Sequence, residues 1–329
     1  MKTLQQATLV TLIAASLAAC GGGGDDGGAT SPPPQQQPSS IKLRDPTNSY
    51  LNARTAAAYT YFGSRDTYSL YAISLFSVIA VASQTGPGTF ASNCTGGGTA
   101  SITFNDNDGS NSISAGDTAS MTFLNCQEDI GLAGATVMTT LNGGMTFAIN
   151  AASPPVANLR DFSFVATATA NNLYAQAGPA SMTFNGTMTI SKSIPQPDST
   201  LRYIATSNDA TVNRSINGVQ DSITLAGWRL DDALSLLTYT DEVSLSGNLN
   251  FTTPSGIANL LLSTSSPLAI GATGVPSAGT VAFGTTEDQV SASFASTGDV
   301  ALAIDAGKTG TITATISTTV AALGSLFGN

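Results

Sequence analysis

The sequence predicts a mainly β fold: an antiparallel meander of about 12 strands curled into a barrel, half-barrel or sandwich, with one N-terminal apolar helix. Three observations predict it. From residue 99 onward, apolar residues recur with period two. Turn-forming dipeptides separate many of these runs. A dozen strands are also too many for one flat open sheet.

The elements follow in chain order. A single basic residue, Lys2, precedes an apolar run from Ala7 to Leu17. That run is well short of the roughly 20 residues a membrane span requires. Residues 1–19 therefore read as a secretory signal peptide. Leu17-Ala18-Ala19-Cys20 closes the segment and resembles the lipobox of bacterial lipoproteins. The resemblance implies cleavage before Cys20, with lipid on its sulfur and on its new amino terminus. Each buried CH₂ of a lipid chain contributes about 0.8 kcal/mol, so several chains anchor a protein persistently. The expected partner is thus a lipid bilayer, reached through acylated Cys20. Gly21 stands where an Asp favours inner-membrane retention in enterobacterial lipoproteins, which resembles sorting to the outer membrane. Residues 21–40 are rich in Gly, Pro and Gln, with no aliphatic residue larger than Ala. Such a segment cannot offset its ordering entropy. Residues 20–40 therefore read as lipidated Cys and tether, with a reach of about 25 Å for a flexible coil.

Residues 41–98 form an N-terminal segment containing the helix, expected over 66–83. Asp66 or Thr67 would cap it, and Gly86-Pro87 would stop it. Leu70, Ile73, Phe76 and Ala80 keep helical spacing, and the segment is apolar on nearly every side, as a buried helix is. Its β-branched content also suits a strand.

Residues 99–329 form the β-domain. Its clearest strand is 181–190, where Met182, Phe184, Met188 and Ile190 share one face and Ser, Thr and Asn take the other. Similar runs occur at 100–105, 118–125, 136–150, 160–169, 220–226, 243–252, 279–284, 289–295, 299–304 and 310–317. Asn142-Gly143-Gly144, Gly178-Pro179, Asn217-Gly218, Gly298-Asp299 and Gly307 read as turns. Asp231-Asp232 and Asp241-Glu242 read as an acidic, solvated turn region. A membrane barrel would need lipid-facing bands and aromatic girdles, and aromatics here are 7% of the chain.

Composition narrows the chemistry. There is no histidine, which removes Ser-His-Asp and Cys-His catalysis and imidazole metal ligation. The three glutamates are Glu128, Glu242 and Glu287, and nothing singles out a catalytic carboxylate pair among them. An enzyme is disfavoured. The formal net charge of −10 argues against nucleic acid and anionic surfaces as partners.

The most specific stretch runs from Cys94 to Cys126. Strands 99–105 and 118–125 flank a loop from Asp106 to Asp117. Side-chain oxygens fall at loop positions 1, 3, 5 and 12 (Asp106, Asp108, Ser110, Asp117). Ser112 at position 7 offers a backbone carbonyl, and Ile113 is the apolar residue at position 8. The spacing resembles the calcium loop of EF-hands and dockerins, which makes calcium the expected ion. Asn111 replaces the usual Gly, and Asp replaces Glu at position 12. An Asp/Asn/Gly-rich turn bonding its own backbone is the other reading.

With Cys20 taken by lipid, Cys94 and Cys126 remain to pair in an oxidising compartment. Two free thiols are the alternative. Direct antiparallel pairing of those two positions would set Phe104 opposite Gly116 and centre the turn on residue 110. A second loop, starting at Asp305, keeps Asp, Gly310 and Ile312 at positions 1, 6 and 8. It has Gly307 at position 3 and Ile316 at position 12, and reads as an ordinary turn. Lipobox, tether, alanine-rich helix, Cys-bounded acidic hairpin and Thr/Ser-alternating strands together resemble uncharacterised β-rich lipoproteins of proteobacteria. That resemblance implies shape and location, not an activity.

Two functions fit these readings. One is a non-catalytic structural or binding protein of the envelope, with a calcium-stabilised hairpin. The other is a carrier of a lipid or apolar ligand in a curved sheet, by analogy of fold.

Overall fold

The computed structural model describes residues 40–46, 49–132, 135–153, 162–193, 200–238, 240–271 and 275–327. Cys20 and the tether up to residue 39 lie outside them. One helix lies against one large antiparallel sheet, and the two share a single hydrophobic core.

The helix spans Leu51–Thr85, 35 residues, and begins 15 residues before the expected start at Asp66. It comprises α1 (Leu51–Ala58), a π-helical turn (Tyr59–Gly63) and α2 (Ser64–Thr85). The alanine run explains the early start: Ala53, Ala56, Ala57 and Ala58 have high helix propensity and bury against the core. Asp66 and Thr67 are therefore not caps. Thr67 lies within the helix and its Oγ1 donates to the Gly63 carbonyl at 2.7 Å. Gly86 ends the helix as expected, at φ 73°, with its N–H on the Ala82 carbonyl. The helix is long and apolar enough to cross a membrane, but half of its most apolar window is buried within the fold.

Among the described residues the sheet has fifteen strands, not about twelve. They are β1 (Gly88–Asn93), β2 (Gly97–Asn105), β3 (Thr118–Leu132), β4 (Ala135–Ala152) and β5 (Phe164–Ala177). Then come β6 (Ala180–Ser193), β7 (Thr200–Ser207), β8 (Ala210–Ile216), β9 (Val219–Ser235) and β10 (Asp241–Thr253). The last are β11 (Gly256–Ile270), β12 (Pro276–Gly284), β13 (Asp288–Phe294), β14 (Asp299–Ala306) and β15 (Ala314–Thr319). The sheet thus starts at Gly88, before the expected boundary at 99. β1, β7, β8 and β11 are the strands the period-two reading missed. β7 and β8 pair with successive halves of both β6 and β9, so they are one long strand interrupted at residues 208–209.

The helix touches strands from across the sheet. Phe76 packs on Phe164 of β5 and Tyr203 of β7. The Tyr71 hydroxyl donates to the Asn185 and Gly186 carbonyls of β6. Tyr59 stacks on Phe251 of β10 with ring centroids 4.4 Å apart, and Tyr61 meets Phe294 of β13. Contacts this widely spaced require the sheet to curl around the helix. Among the described residues β1 pairs with β2 alone and β15 with β14 alone, so the described sheet is curled without closing on itself.

A line of bulges assists the curl. Register shifts occur beside Gly98 and Asn125, Gly143 and Asn172, and Gly227 and Gly247. Asn142-Gly143-Gly144, read as a turn, is one of these bulges inside β4. Gly143 has φ 89°, and a Cβ there would collide with the Asn172 carbonyl. The preceding asparagine has a role in the bulge: Asn142 Oδ1 accepts the Asn125 N–H at 2.7 Å. Asn185 Oδ1 accepts the Asn172 N–H in the same way. Bulges add twist locally, as a curling sheet needs. Gly178-Pro179, Asn217-Gly218 and Gly298 do lie between strands, as expected.

Two short segments complete the core. Residues 40–46 run past β11 and β13: Ile41 N–H meets the Ile257 carbonyl, and Arg44 pairs with Asp288 and Glu287. The C-terminal helix α3 (Val320–Phe327) places Phe327 against Tyr59 and Phe62.

A candidate metal-binding hairpin

β2 and β3 form the expected hairpin, with Asn105 opposite Thr118. Phe104 faces Ala119 rather than Gly116. The three-residue difference has a physical cause. Cys94 lies in the turn between β1 and β2, not on β2, and Cys126 sits at the β3 bulge beside Asn125. The disulfide Cys94–Cys126 is formed, with Cα atoms 5.3 Å apart. It ties the β1–β2 turn to the middle of β3. Glu128 strengthens that corner by accepting the Thr95 N–H and hydroxyl.

The loop between the strands is held by its own carboxylates. Asp106 accepts the backbone N–H groups of Ser110 and Asn111, at 3.1 and 2.7 Å. Asp108 accepts the Ser110 N–H and the Ser114 hydroxyl. These hydrogen bonds from Ser110 and Ser114 hold the Asp108 pKa down at about 2. Asp117 is fully buried and accepts from Asn107 N–H, Ser114 N–H and the Ser114 hydroxyl. Ser110 Oγ lies 3.2 Å from the Ser112 carbonyl. Asn111 adopts φ 54°, the left-handed geometry position 6 demands. Ile113 is buried and fastens the loop to the core.

The result is a convergence of oxygens. Carboxylate oxygens of Asp106, Asp108 and Asp117 lie within 4.8 Å of one another. Among the described residues none of the three forms an ion pair. Hard oxygen donors, a buried acidic ligand and uncompensated negative charge are what a hard divalent cation takes. The residues present therefore fit calcium.

The loop from Asp305 shows the same backbone device. Asp305 accepts the N–H groups of Thr309 and Gly310, both at 2.8 Å. Positions 4 and 6 have positive φ in both loops: Gly109 and Asn111 in one, Lys308 and Gly310 in the other. The second loop lacks the further carboxylates, and its position-8 residue, Ile312, is 53% exposed.

The chain finds no match among protein-family models, curated proteins or solved structures.

A buried polar cluster went unread in the sequence. Arg214 of β8 forms a two-bond ion pair with Asp221 of β9, at 2.7 and 2.6 Å. The Tyr59 hydroxyl donates to Asp221, and Arg214 also donates to the Phe327 carbonyl. The guanidinium lies 3.7 Å from the Phe327 ring centroid. This cluster pins the π turn and α3 to one hairpin. Its signal was present: Arg214 and Asp221 are equidistant from the Asn217-Gly218 turn, and are register partners.

Proposed function

We propose that the protein is a membrane-anchored lipoprotein of the bacterial envelope, held by lipid on Cys20, with no catalytic role. It acts as a structural or binding protein, and calcium closes its β2–β3 hairpin. The anchor rests on the signal segment and the lipobox-like residues, and Gly21 favours the outer membrane. The calcium reading rests on one observation above the others, the convergence of Asp106, Asp108 and Asp117, which among the described residues pair with no Lys or Arg. Ser110 and the Ser112 carbonyl complete the oxygen set. The bilayer is the partner this reading names. The acidic charge speaks against nucleic acid.

The filled concave side supports a structural role. Tyr71, Leu75, Val78 and Ile79 are fully or nearly fully buried between helix and sheet. The void beside Ala57, Tyr61 and Phe283 is only about 10 Å³. The carrier reading keeps one feature in its favour, an open pocket of about 340 Å³ lined by Leu51, Tyr59, Val219 and Phe327. That volume is at the small end of ligand pockets. Extraction and mass spectrometry of the purified protein decide between the two readings: a stoichiometric lipid supports the carrier, and its repeated absence supports the structural role. For the ion, isothermal titration with calcium chloride should show one site in the wild type and none in Asp108→Asn. No heat in the wild type refutes the calcium part.

A further inference from the structure

Asp231 and Asp232 are neighbours in sequence and opposites in environment. They lie in β9, not in a solvated turn, and the strand's two-residue period sends them to different faces. Asp231 points outward, where Arg202 and Arg229 pair with it at 2.5 and 3.1 Å. The hydrogen bond from Arg202 holds its pKa low. Asp232 continues the inward row of Trp228 and Leu230, both buried. Its Oδ1 is buried and has no hydrogen-bond partner among the described residues.

Four elements face Asp232. β7 places Tyr203 directly opposite, and β10 places Val243 opposite, with Asp241 inward on the diagonal. β6 brings buried Lys192 to the far side of Tyr203. The helix contributes Tyr68, which feels the charge of Asp232, and Arg65, which offsets part of the Asp241 charge. Phe76 closes over Tyr203. An ionised carboxylate here sits where the sheet meets the helix, beside a second carboxylate.

We propose that Asp232 is a proton-controlled latch between the helix and the sheet: protonated, it lets Tyr68 and its neighbours seat against β7, β9 and β10, and ionised, it loosens that contact. Burial first, then the charges of Asp241 and Asp231, push its pKa up to about 7. An unfolded Asp titrates near 3.9. The folded state therefore holds an extra proton between those values, and stability falls as pH rises from about 4 to 7.

The test compares melting midpoints of the full-length wild type and Asp232→Asn between pH 5 and pH 8, at constant calcium. Asn mimics the protonated side chain, so the variant lacks this pH dependence. The wild-type midpoint should fall by about 5 °C relative to the variant across that range. Amide hydrogen exchange around Tyr68 should be faster in the wild type than in the variant at pH 8, and equal at pH 5. Parallel melting profiles, or an exchange difference that does not change with pH, would overturn the proposal.

Discussion

The loop at 106–117 and the loop at 305–316 begin alike and end differently. In both, an aspartate at position 1 accepts two backbone N–H groups from positions 5 and 6. In both, positions 4 and 6 take positive φ. Thus the leading aspartate makes the same pair of backbone hydrogen bonds in both turns. What separates the loops is everything after it: Asp108, buried Asp117 and buried Ile113 in one, Gly307, Ile316 and exposed Ile312 in the other. A turn device and a candidate ion site therefore share one opening turn, and the added carboxylates and the buried Ile113 distinguish them.

The largest effect should come from the feature the second loop lacks altogether. Replacing both Cys94 and Cys126 with Ala should cost roughly 3–4 kcal/mol, read as a lower denaturant midpoint. Proteolysis should then open the β2–β3 hairpin before it opens the β14–β15 hairpin. Next comes Asp117→Ala, which orphans the N–H groups of Asn107 and Ser114. It should destabilise by about 2–3 kcal/mol and abolish any response to calcium. Asp108→Asn sharpens the comparison further. Asp108 is exposed but accepts from Ser110 and Ser114, so the variant should lower the metal-free midpoint modestly and lose the calcium response. Because hydrogen bonds from Ser110 and Ser114 hold the Asp108 carboxyl well below the usual carboxylate range, this donor should keep its charge, and the calcium response should persist, at pH 5. The smallest effect belongs to the second loop. Asp305→Ala should cost about 1 kcal/mol and leave the calcium titration unchanged.

Much of this contrast was legible in the sequence, because loop positions are set by spacing alone. The pairing of Cys94 with Cys126 was legible by elimination, once Cys20 is read as the lipid-bearing cysteine. The hairpin register was not, since a bulge at Asn125 and a cysteine placed in a turn shift the count by three residues. Period two revealed strands such as 181–190, where faces alternate cleanly. It missed β1, whose two faces are both largely exposed, and β11, whose alternation breaks at Ser265-Ser266-Pro267. Asn142-Gly143 carries the local chemistry of a turn, but its neighbours on both sides keep pairing, and the same dipeptide becomes a bulge. The helix start was hidden in residues 51–63, where alanines and aromatics give no strong amphipathic pattern. Asp232 could not be told from Asp231 without knowing which face of β9 meets the helix.

The proposal that calcium stabilises the β2–β3 hairpin is tested most directly by melting the protein with 10 mM calcium and with excess chelator. At calcium a hundred times Kd, binding to the folded state alone adds about 2.7 kcal/mol. For a domain of this size that is a rise in midpoint of about 5 °C. The account predicts that rise in the wild type and in Asp305→Ala, and its absence in Asp108→Asn. Coincident wild-type melting curves with calcium and with chelator would contradict it.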